Sequence, residues 1–240
     1  MPNILLGLTG SVASVLAPKL IEALGEIGDV AVVATEASSH FVPSHILQET
    51  VGANPVKALH SIGRLFKYGV FTDREEWLWE DNPEGLGPQN RDVWEKEDPI
   101  VHIELRKWAD VMVIAPLSAN TLAKMANGLC DNLLTSVFRA WDFEKPVVVA
   151  PAMNTYMWNH PVTEKHLAQC KEFFDAFCSN KNVNVLQHGT NPFWEHKLTN
   201  FHIVPPIAKK LACGDVDIGA LANIDDICKK VQYALENKAQ

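Results

Sequence analysis

Mostly apolar runs recur along the chain, and each is long enough for a buried β-strand. They are NILLGLT (3–9), VAVVAT (30–35), VMVIA (111–115) and PVVVA (146–150), followed by VNVLQ (183–187) and FHIVPP (201–206). Strands that are apolar on both faces are typical of parallel sheets covered by helices on each side. The pattern therefore predicts a parallel sheet.

Helical patterns lie between these runs. They extend over about 11–27, 119–141, 162–177 and 223–238, and the last has acidic residues in its first turn and a lysine near its end. Strands that alternate with helices predict an α/β fold. We expect a doubly wound, Rossmann-like (flavodoxin-like) parallel sheet with helices on both faces, in a single domain spanning 1–240.

Two segments do not follow this alternation. Residues 73–98 are acidic and rich in Trp, Pro and Gly, and residues 179–200 are polar and irregular. Both are interpreted as long excursions over the surface, and loops of this length are often functional.

Composition and charge narrow the possible partners. The chain has 240 residues, a net charge of −8 and no basic cluster, which argues against nucleic-acid binding. The N-terminus lacks a basic region followed by a long apolar run, and no stretch approaches a membrane span, so we expect a cytoplasmic protein with no membrane association. Five cysteines without regular spacing fit a reducing compartment.

The ligand of a doubly wound sheet binds at the carboxyl ends of its strands, so the segments after the strands are the candidate site. The first, TGSVAS (9–14), has a glycine for the turn and a hydroxyl before a helix, where free N–H groups favour a phosphate. It lacks the third glycine of a dinucleotide fingerprint, although Glu36 stands where such a fold places its ribose-binding acid. A plain strand-to-helix turn is the alternative.

Short hydroxyl side chains crowd two further strand exits, TEASSHF (35–41) and APLSANT (115–121). Many short donors suit a mononucleotide phosphate and its ribityl chain. Ser118 or Asn120 explains the second pattern equally well as a helix cap, and Phe41 is either a stacking partner for a planar ring or a core residue.

Two other residues are candidates for chemistry. His102 opens an amphipathic helix, where a lone histidine is commonly a packing or surface residue; with Glu104 it imitates the H-x-E of zinc deaminases, but no P-C-x-x-C follows and no metal site is expected. Cys213, in a loop beside lysines, is a candidate acid, base or nucleophile. The remaining cysteines within helical patterns, Cys130, Cys170 and Cys228, are interpreted as core residues.

Several segments resemble one enzyme family. The block VHIELRKWADVMVIAPLSANTLAKMANGLCDNLLTSVFRAWDFEKPVVVAPAMNTYMWNHPVTEKHL (101–167) is similar to the homo-oligomeric flavin-containing cysteine decarboxylases, as are TGSVAS, SSHF and IVPPIAKKLACGD. The motifs P-x-M-N-x-x-M-W and A-C-G-D are specific to this family. The resemblance covers most of residues 3–50 and 100–225.

The resemblance implies FMN as cofactor, a homotrimer with active sites at subunit interfaces, and a substrate, 4′-phospho-N-pantothenoylcysteine. The implied reaction is decarboxylation to 4′-phosphopantetheine in coenzyme A synthesis. In this family the flavin oxidises the substrate thiol to a thioaldehyde. The carboxylate β to this thiocarbonyl then leaves as CO2, and the reduced flavin returns the hydride to the resulting enethiol. No net redox change results.

The resemblance also assigns roles to individual residues. His102 acts in the oxidative and decarboxylating half, Asn154 holds the substrate carboxylate, Met157 lines the same pocket, and Cys213 supplies the proton in the reductive step. An uncharged amide suits Asn154 because it orients the carboxylate without strongly stabilising the ground state. The implied flavin contacts are Gly10, Ser11, Val12, Thr35, Ser38, Phe41, Ser118, Ala119, Asn120, Thr121 and Ala152.

The chain departs from the family pattern after Cys213, where ACGDVDIGALAN replaces the usual A-C-G-D-x-G-N-G. Two alternatives remain open: another flavoprotein of the same superfamily, such as a flavin prenyltransferase or a peptidyl-cysteine decarboxylase, and a regulatory homologue that inhibits a protein phosphatase. His102, Asn154 and Cys213 occur together in this chain, which favours a self-sufficient enzyme.

Overall fold

A computed structural model describes residues 1–52, 69–76, 100–179, 200–210 and 216–237. Six parallel strands form the main sheet in the order β3-β2-β1-β4-β5-β6, and an antiparallel hairpin, β7-β8, stands apart from it. The strands are β1 (Asn3–Leu8), β2 (Asp29–Ala34), β3 (Val70–Phe71), β4 (Val111–Leu117), β5 (Val147–Pro151), β6 (Phe201–Ile203), β7 (Ile207–Lys210) and β8 (Val216–Ala220).

Helices cover both faces of the sheet, as the doubly wound pattern predicts. They are α1 (Ala17–Gly25), α2 (Glu36–Ser39), α3 (Ser44–Gly52), α4 (Asp73–Glu76), α5 (Val101–Trp108), α6 (Ala119–Ala126), α7 (Leu133–Arg139), α8 (Thr155–Trp158), α9 (Pro161–Ser179) and α10 (Ile224–Glu236). The strand order is that of the dinucleotide-binding fold; without the two-residue β3 it is the 2-1-3-4-5 order of flavodoxin-like folds. In both, the order reverses between β1 and β4.

Alternating side chains of the strands supply two cores. Along β1, Ile4, Leu6 and Leu8 face the layer of α1, α3 and α10, whereas Leu5 faces the layer of α5, α6, α7 and α9. Each of these side chains is fully buried. Burial on both faces explains why the strand sequences lack a polar alternation.

Two predicted helices are divided in the structure. The stretch 11–27 begins with a 3₁₀ helix, Val12–Leu16, before α1, which has Pro18 in its first turn. The stretch 119–141 is split into α6 and α7 because Gly128 adopts a φ of 70°, a left-handed conformation that suits glycine. Cys130 lies between these helices and is exposed, so its assignment to the core is wrong.

The other cysteine assignments and the long segments have different outcomes. Cys170 is buried, which confirms its place in the core, and Cys228 is half-buried on α10.

In the segment 73–98 the first four residues form α4, which packs beside α5 and α7, and the rest lies outside the described residues. The run 183–187, most of 179–200 and Cys213 also lie outside them, and the strand in 201–206 ends at Ile203.

Candidate functional site

Thr9 joins the ends of the two strands at which the sheet order reverses. Its buried hydroxyl donates to the carbonyl of Pro116 over 2.7 Å and accepts from the backbone N–H of Ser118 over 2.8 Å. A hydroxyl can do both because it has one donor and two acceptor sites. The exits of β1 and β4 are therefore fixed to each other at the switch point.

Ser11 extends this connection to β5. Its hydroxyl donates to the carbonyl of Ala152 over 3.0 Å, and the Ala152 N–H donates to the carbonyl of Leu117 over 3.0 Å. Gly10, between Thr9 and Ser11, passes so close to α2 that a Cβ would lie 2.6 Å from the Cβ of Ala37. The three exits thus form one continuous edge against which α2 packs.

Thr35 and Ser38 shape the exit of β2. The N–H and the hydroxyl of Thr35 both donate to the carbonyl of Leu8 over 3.1 Å, and the Ser38 hydroxyl donates to the carbonyl of Thr35 over 2.6 Å. Both side chains are buried, so these hydroxyls hold the loop backbone in place. Phe41, whose N–H donates to the carbonyl of Ser38, is half-buried beside them.

Ser118 caps α6, as the capping interpretation predicts. Its hydroxyl accepts from the backbone N–H of Thr121 over 3.2 Å. The amides of Ala119 and Asn120 precede Thr121 in the first turn and have no partner within the helix, because a helix leaves its first N–H groups unbonded. Together with the helix dipole, they make this end of α6 suitable for an anion.

Asn154 is also a helix cap. Its side-chain oxygen accepts from the N–H of Tyr156 over 2.9 Å at the start of α8. With the oxygen engaged in the cap, the donor NH2 is directed to the opposite side of the carboxamide. Met157 is about half exposed on the same short helix, at 48%.

The hairpin β7-β8 is attached to the loop that carries Asn154. The Met153 N–H donates to the carbonyl of Gly219 over 3.0 Å. Gly219 has a φ of 152°, and a Cβ there would lie 2.3 Å from the Met153 carbonyl oxygen. Cys213 belongs to the connection between β7 and β8, outside the described residues, so its position relative to Asn154 stays a prediction.

His102, the second residue of α5, contacts Glu76 twice. The backbone N–H of His102 donates to Glu76 Oε2 over 3.1 Å, and its ring Nδ1 forms a short contact with Glu76 Oε1. The glutamate side chain is 9% exposed and the histidine side chain 26%. Glu76 is not among the predicted site residues, because it lies 26 residues before His102 in an acidic segment. The strand that precedes it, β3, has only two residues and gives little signal in the sequence.

His102 and Asn154 have different partners within one chain. His102 contacts Glu76 of α4, whereas Asn154 caps α8 in the loop attached to the hairpin. Within the described residues, hydrogen bonds join the exits of β1, β2, β4 and β5 to one another, and none joins His102 to them.

Several titratable groups near the helices have altered proton affinity. Burial raises the pKa of Asp73, although its carboxylate accepts from the Leu133 N–H over 2.7 Å. Burial also raises the pKa of Cys170 to about 12, and burial followed by the charge of Asp225 raises that of Cys228. These two thiols are poor nucleophiles, since the thiolate is the reactive form.

The described residues contain no cluster of three or more His, Cys, Asp or Glu side chains arranged to bind a metal ion. Within the same residues, no helix combines the length and the hydrophobicity needed to span a bilayer.

Comparisons with known proteins cover the whole chain. The family model described as Flavoprotein matches residues 1–236. Phosphopantothenoylcysteine decarboxylase HAL3a of Glycine max is 40% identical over 240 residues, which are 100% of this chain and 87% of that protein. Phosphopantothenoylcysteine decarboxylase of Mus musculus is 36% identical over 236 residues, 97% of this chain and 87% of that protein.

Solved structures show the same similarity. A cysteine-to-serine mutant of PPC decarboxylase complexed with pantothenoylaminoethenethiol is 37% identical, with a TM-score of 0.71 over 98% of this chain and 99% of that chain. The FMN binding protein AtHal3 is also 37% identical, with a TM-score of 0.68 over 100% of this chain and 99% of that chain.

Proposed function

Because the chain belongs to the flavoprotein family, with phosphopantothenoylcysteine decarboxylases among its full-length relatives, we propose that it is an FMN-dependent decarboxylase. Its substrate is 4′-phospho-N-pantothenoylcysteine and its product is 4′-phosphopantetheine, a step of coenzyme A synthesis. The observation that carries the proposal is the joined carboxyl edge, where the capped start of α6 and the loop of Asn154 are linked through Thr9, Ser11 and Ala152.

The residues of this edge fit a flavin mononucleotide. The amides of Ala119 and Asn120 supply N–H donors and a favourable dipole for its phosphate. Gly10 keeps the first loop close to α2, and half-buried Phe41 offers an aromatic surface for the ring. Four buried hydroxyls support flavin binding indirectly, because their hydrogen bonds hold the loops in place. They belong to Thr35, Ser38, Ser118 and Thr121.

Bound FMN would supply reversible hydride transfer, the chemistry that oxidises the substrate thiol to a thioaldehyde and so allows the carboxylate β to the thiocarbonyl to leave as CO2. The protein binds and orients the carboxylate that departs. Asn154 does so through its NH2, with Met157 beside it, and an uncharged donor avoids the strong ground-state stabilisation that a lysine would give. The hairpin attached at Met153 and Gly219 holds the backbone of this loop beside Asn154.

Two further residues handle protons. His102 acts in the oxidative and decarboxylating half, and Cys213 gives its thiol proton to the enethiol product in the reductive half. The role of Cys213 rests on the A-C-G-D motif (212–215). Both assignments come from the family resemblance.

The active site of this proposal is shared between subunits of a homotrimer. The supporting observation is that, within the described residues, His102 is hydrogen-bonded to Glu76 and not to the loop that carries Asn154. A neighbouring copy that presents its His102 to the Asn154 loop would bring the two residues into one site. Tyr156 and Met157, which follow Asn154 and are exposed, suit such a contact between subunits.

The test is an assay of the purified protein with phosphopantothenoylcysteine, with mass analysis of the products. We expect a yellow protein that releases CO2 and forms phosphopantetheine. Cys213→Ser should accumulate the oxidised enethiol product, whereas Cys130→Ser, a matched change of an exposed thiol, should behave as the unmodified protein. A colourless protein, or normal phosphopantetheine from Cys213→Ser, contradicts the cofactor or the proton-donor assignment respectively.

A further inference from the structure

We propose that Glu76 is a positioning residue that holds the imidazole of His102 in the tautomer with its proton on Nδ1. The effect of this tautomer on turnover rests on the proposed function. Its structural basis is the pair of contacts from one carboxylate to the His102 backbone N–H and to the His102 ring.

The chemistry of the two groups determines where the proton lies. An ionised carboxylate has acceptor oxygens only, so the ring nitrogen that faces it must be a donor. Nδ1 faces Glu76 Oε1, and Nδ1 therefore carries the hydrogen. In the neutral ring the lone pair is then on Nε2, which is the atom available to accept a proton.

The second oxygen of Glu76 holds the backbone of His102, to which the ring is attached. Oε2 accepts from the backbone N–H of His102 over 3.1 Å, in the first turn of α5, where this N–H has no intrahelical acceptor. A carboxylate at a helix start is also favoured by the helix dipole. One side chain thus orients both the backbone and the ring of the same histidine.

Glu76 is itself held by its surroundings. Its side chain is 9% exposed, so the carboxylate depends on hydrogen bonds rather than on water. At the other end of α4, Asp73 accepts from the N–H of Leu133 at the start of α7 over 2.7 Å. This four-residue helix therefore bridges α7 and α5, and the carboxylate has little freedom to leave the ring.

An amide cannot replace the carboxylate, although it has the same shape. Glutamine has one acceptor oxygen, and the two contacts of Glu76 need two. If that oxygen binds the His102 N–H, the NH2 faces Nδ1 and favours the opposite tautomer, with the proton on Nε2. Glu76→Gln therefore changes the proton position with almost no change in volume.

The experiment follows the histidine nitrogens by ¹⁵N NMR in the full-length, flavin-loaded protein at alkaline pH, where imidazole is neutral. His102→Asn identifies the His102 signals by their absence. We expect a protonated Nδ1 in the unmodified protein and a protonated Nε2 in Glu76→Gln. Retained flavin absorbance and an unchanged thermal midpoint show that the variant is folded.

The kinetic readout is the decarboxylation assay. We expect kcat of Glu76→Gln to fall roughly 10²-fold, the scale of general acid–base catalysis, with KM nearly constant. Glu104→Gln is the control, because it removes the same charge two residues from His102 on α5, where the carboxylate binds Lys107. This control should keep both the Nδ1 proton and normal turnover.

Two results overturn the proposal. A proton that stays on Nδ1 in Glu76→Gln shows that Glu76 does not set the tautomer, and full turnover with an inverted tautomer shows that the tautomer does not matter for the reaction. A protein that never decarboxylates this substrate contradicts the proposed function instead, and the NMR measurement still decides the role of Glu76.

Discussion

Asn154 combines two roles that one substitution separates. In Asn154→Asp a side-chain oxygen still accepts from the Tyr156 N–H, so the α8 cap is kept. The donor NH2 is replaced by a charged acceptor, which repels the substrate carboxylate. We expect retained flavin and a loss of turnover of roughly 10²-fold or more, measured by thermal unfolding and the decarboxylation assay. Normal turnover in this variant contradicts the assigned role.

His202 makes the stability depend on pH. Burial, and then the charge of Lys230, lowers its pKa to about 4 from an ordinary value of 6.5. The unfolded chain therefore binds a proton at a higher pH than the folded protein does. The stability due to the neutral ring is complete above about pH 6.5 and is lost as the pH falls towards 4.

Replacement of His202 tests this pH dependence. His202→Phe keeps an aromatic ring against Tyr233, whose ring centroid is 6.0 Å away, but cannot be protonated. In urea unfolding, the free energy of unfolding of the unmodified protein should fall by an amount on the order of 2 kcal/mol as the pH is lowered across this range, and His202→Phe should not show this fall. The exposed His45 provides the control, and His45→Phe should keep the full loss. Identical pH curves for His202→Phe and the unmodified protein would contradict the argument.

At the scale of elements, the hairpin and the Asn154 loop share a contact that only glycine permits. In Gly219→Ala the new Cβ would meet the Met153 carbonyl oxygen at 2.3 Å, and the backbone has a positive φ of 152°. We expect displacement of the loop and a loss of turnover of at least about tenfold, with flavin still bound. Gly25→Ala is the control, since a Cβ at the end of α1 meets nothing within 4 Å.

Elements that depend on local pattern could be predicted from the sequence, and those that depend on distant partners could not. The apolar strands β1, β2, β4 and β5 and the helices α9 and α10 follow from periodicity. The break at Gly128 and the hairpin β7-β8 do not, because a backbone conformation and a contact with Met153 determine them. The strand exits located the candidate site, whereas Glu76 becomes visible only through its packing on α5.

At the scale of the whole molecule, subunit mixing tests the shared active site. If the chain forms the proposed homotrimer, the His102→Asn and Asn154→Asp variants should each be nearly inactive alone. Co-expression with two different affinity tags yields mixed trimers of 2:1 or 1:2 composition, in which about a third of the sites combine an intact His102 with an intact Asn154 from its neighbour. We expect activity to return in the doubly tagged fraction. Mixed trimers that stay inactive, like trimers of the double variant, would place each site within one chain.

The hydrogen bond of the Ser11 hydroxyl has a consequence for folding during synthesis. Its acceptor, Ala152, is 141 residues away, and the partners of Thr9 are more than 100 residues away. Closing such loops is slow, because entropy must be spent before the bonds form. During synthesis the first loop leaves the ribosome early, yet its final shape waits for β4 and β5. Cofactor capture is thus a late event, after nearly two thirds of the chain has been made.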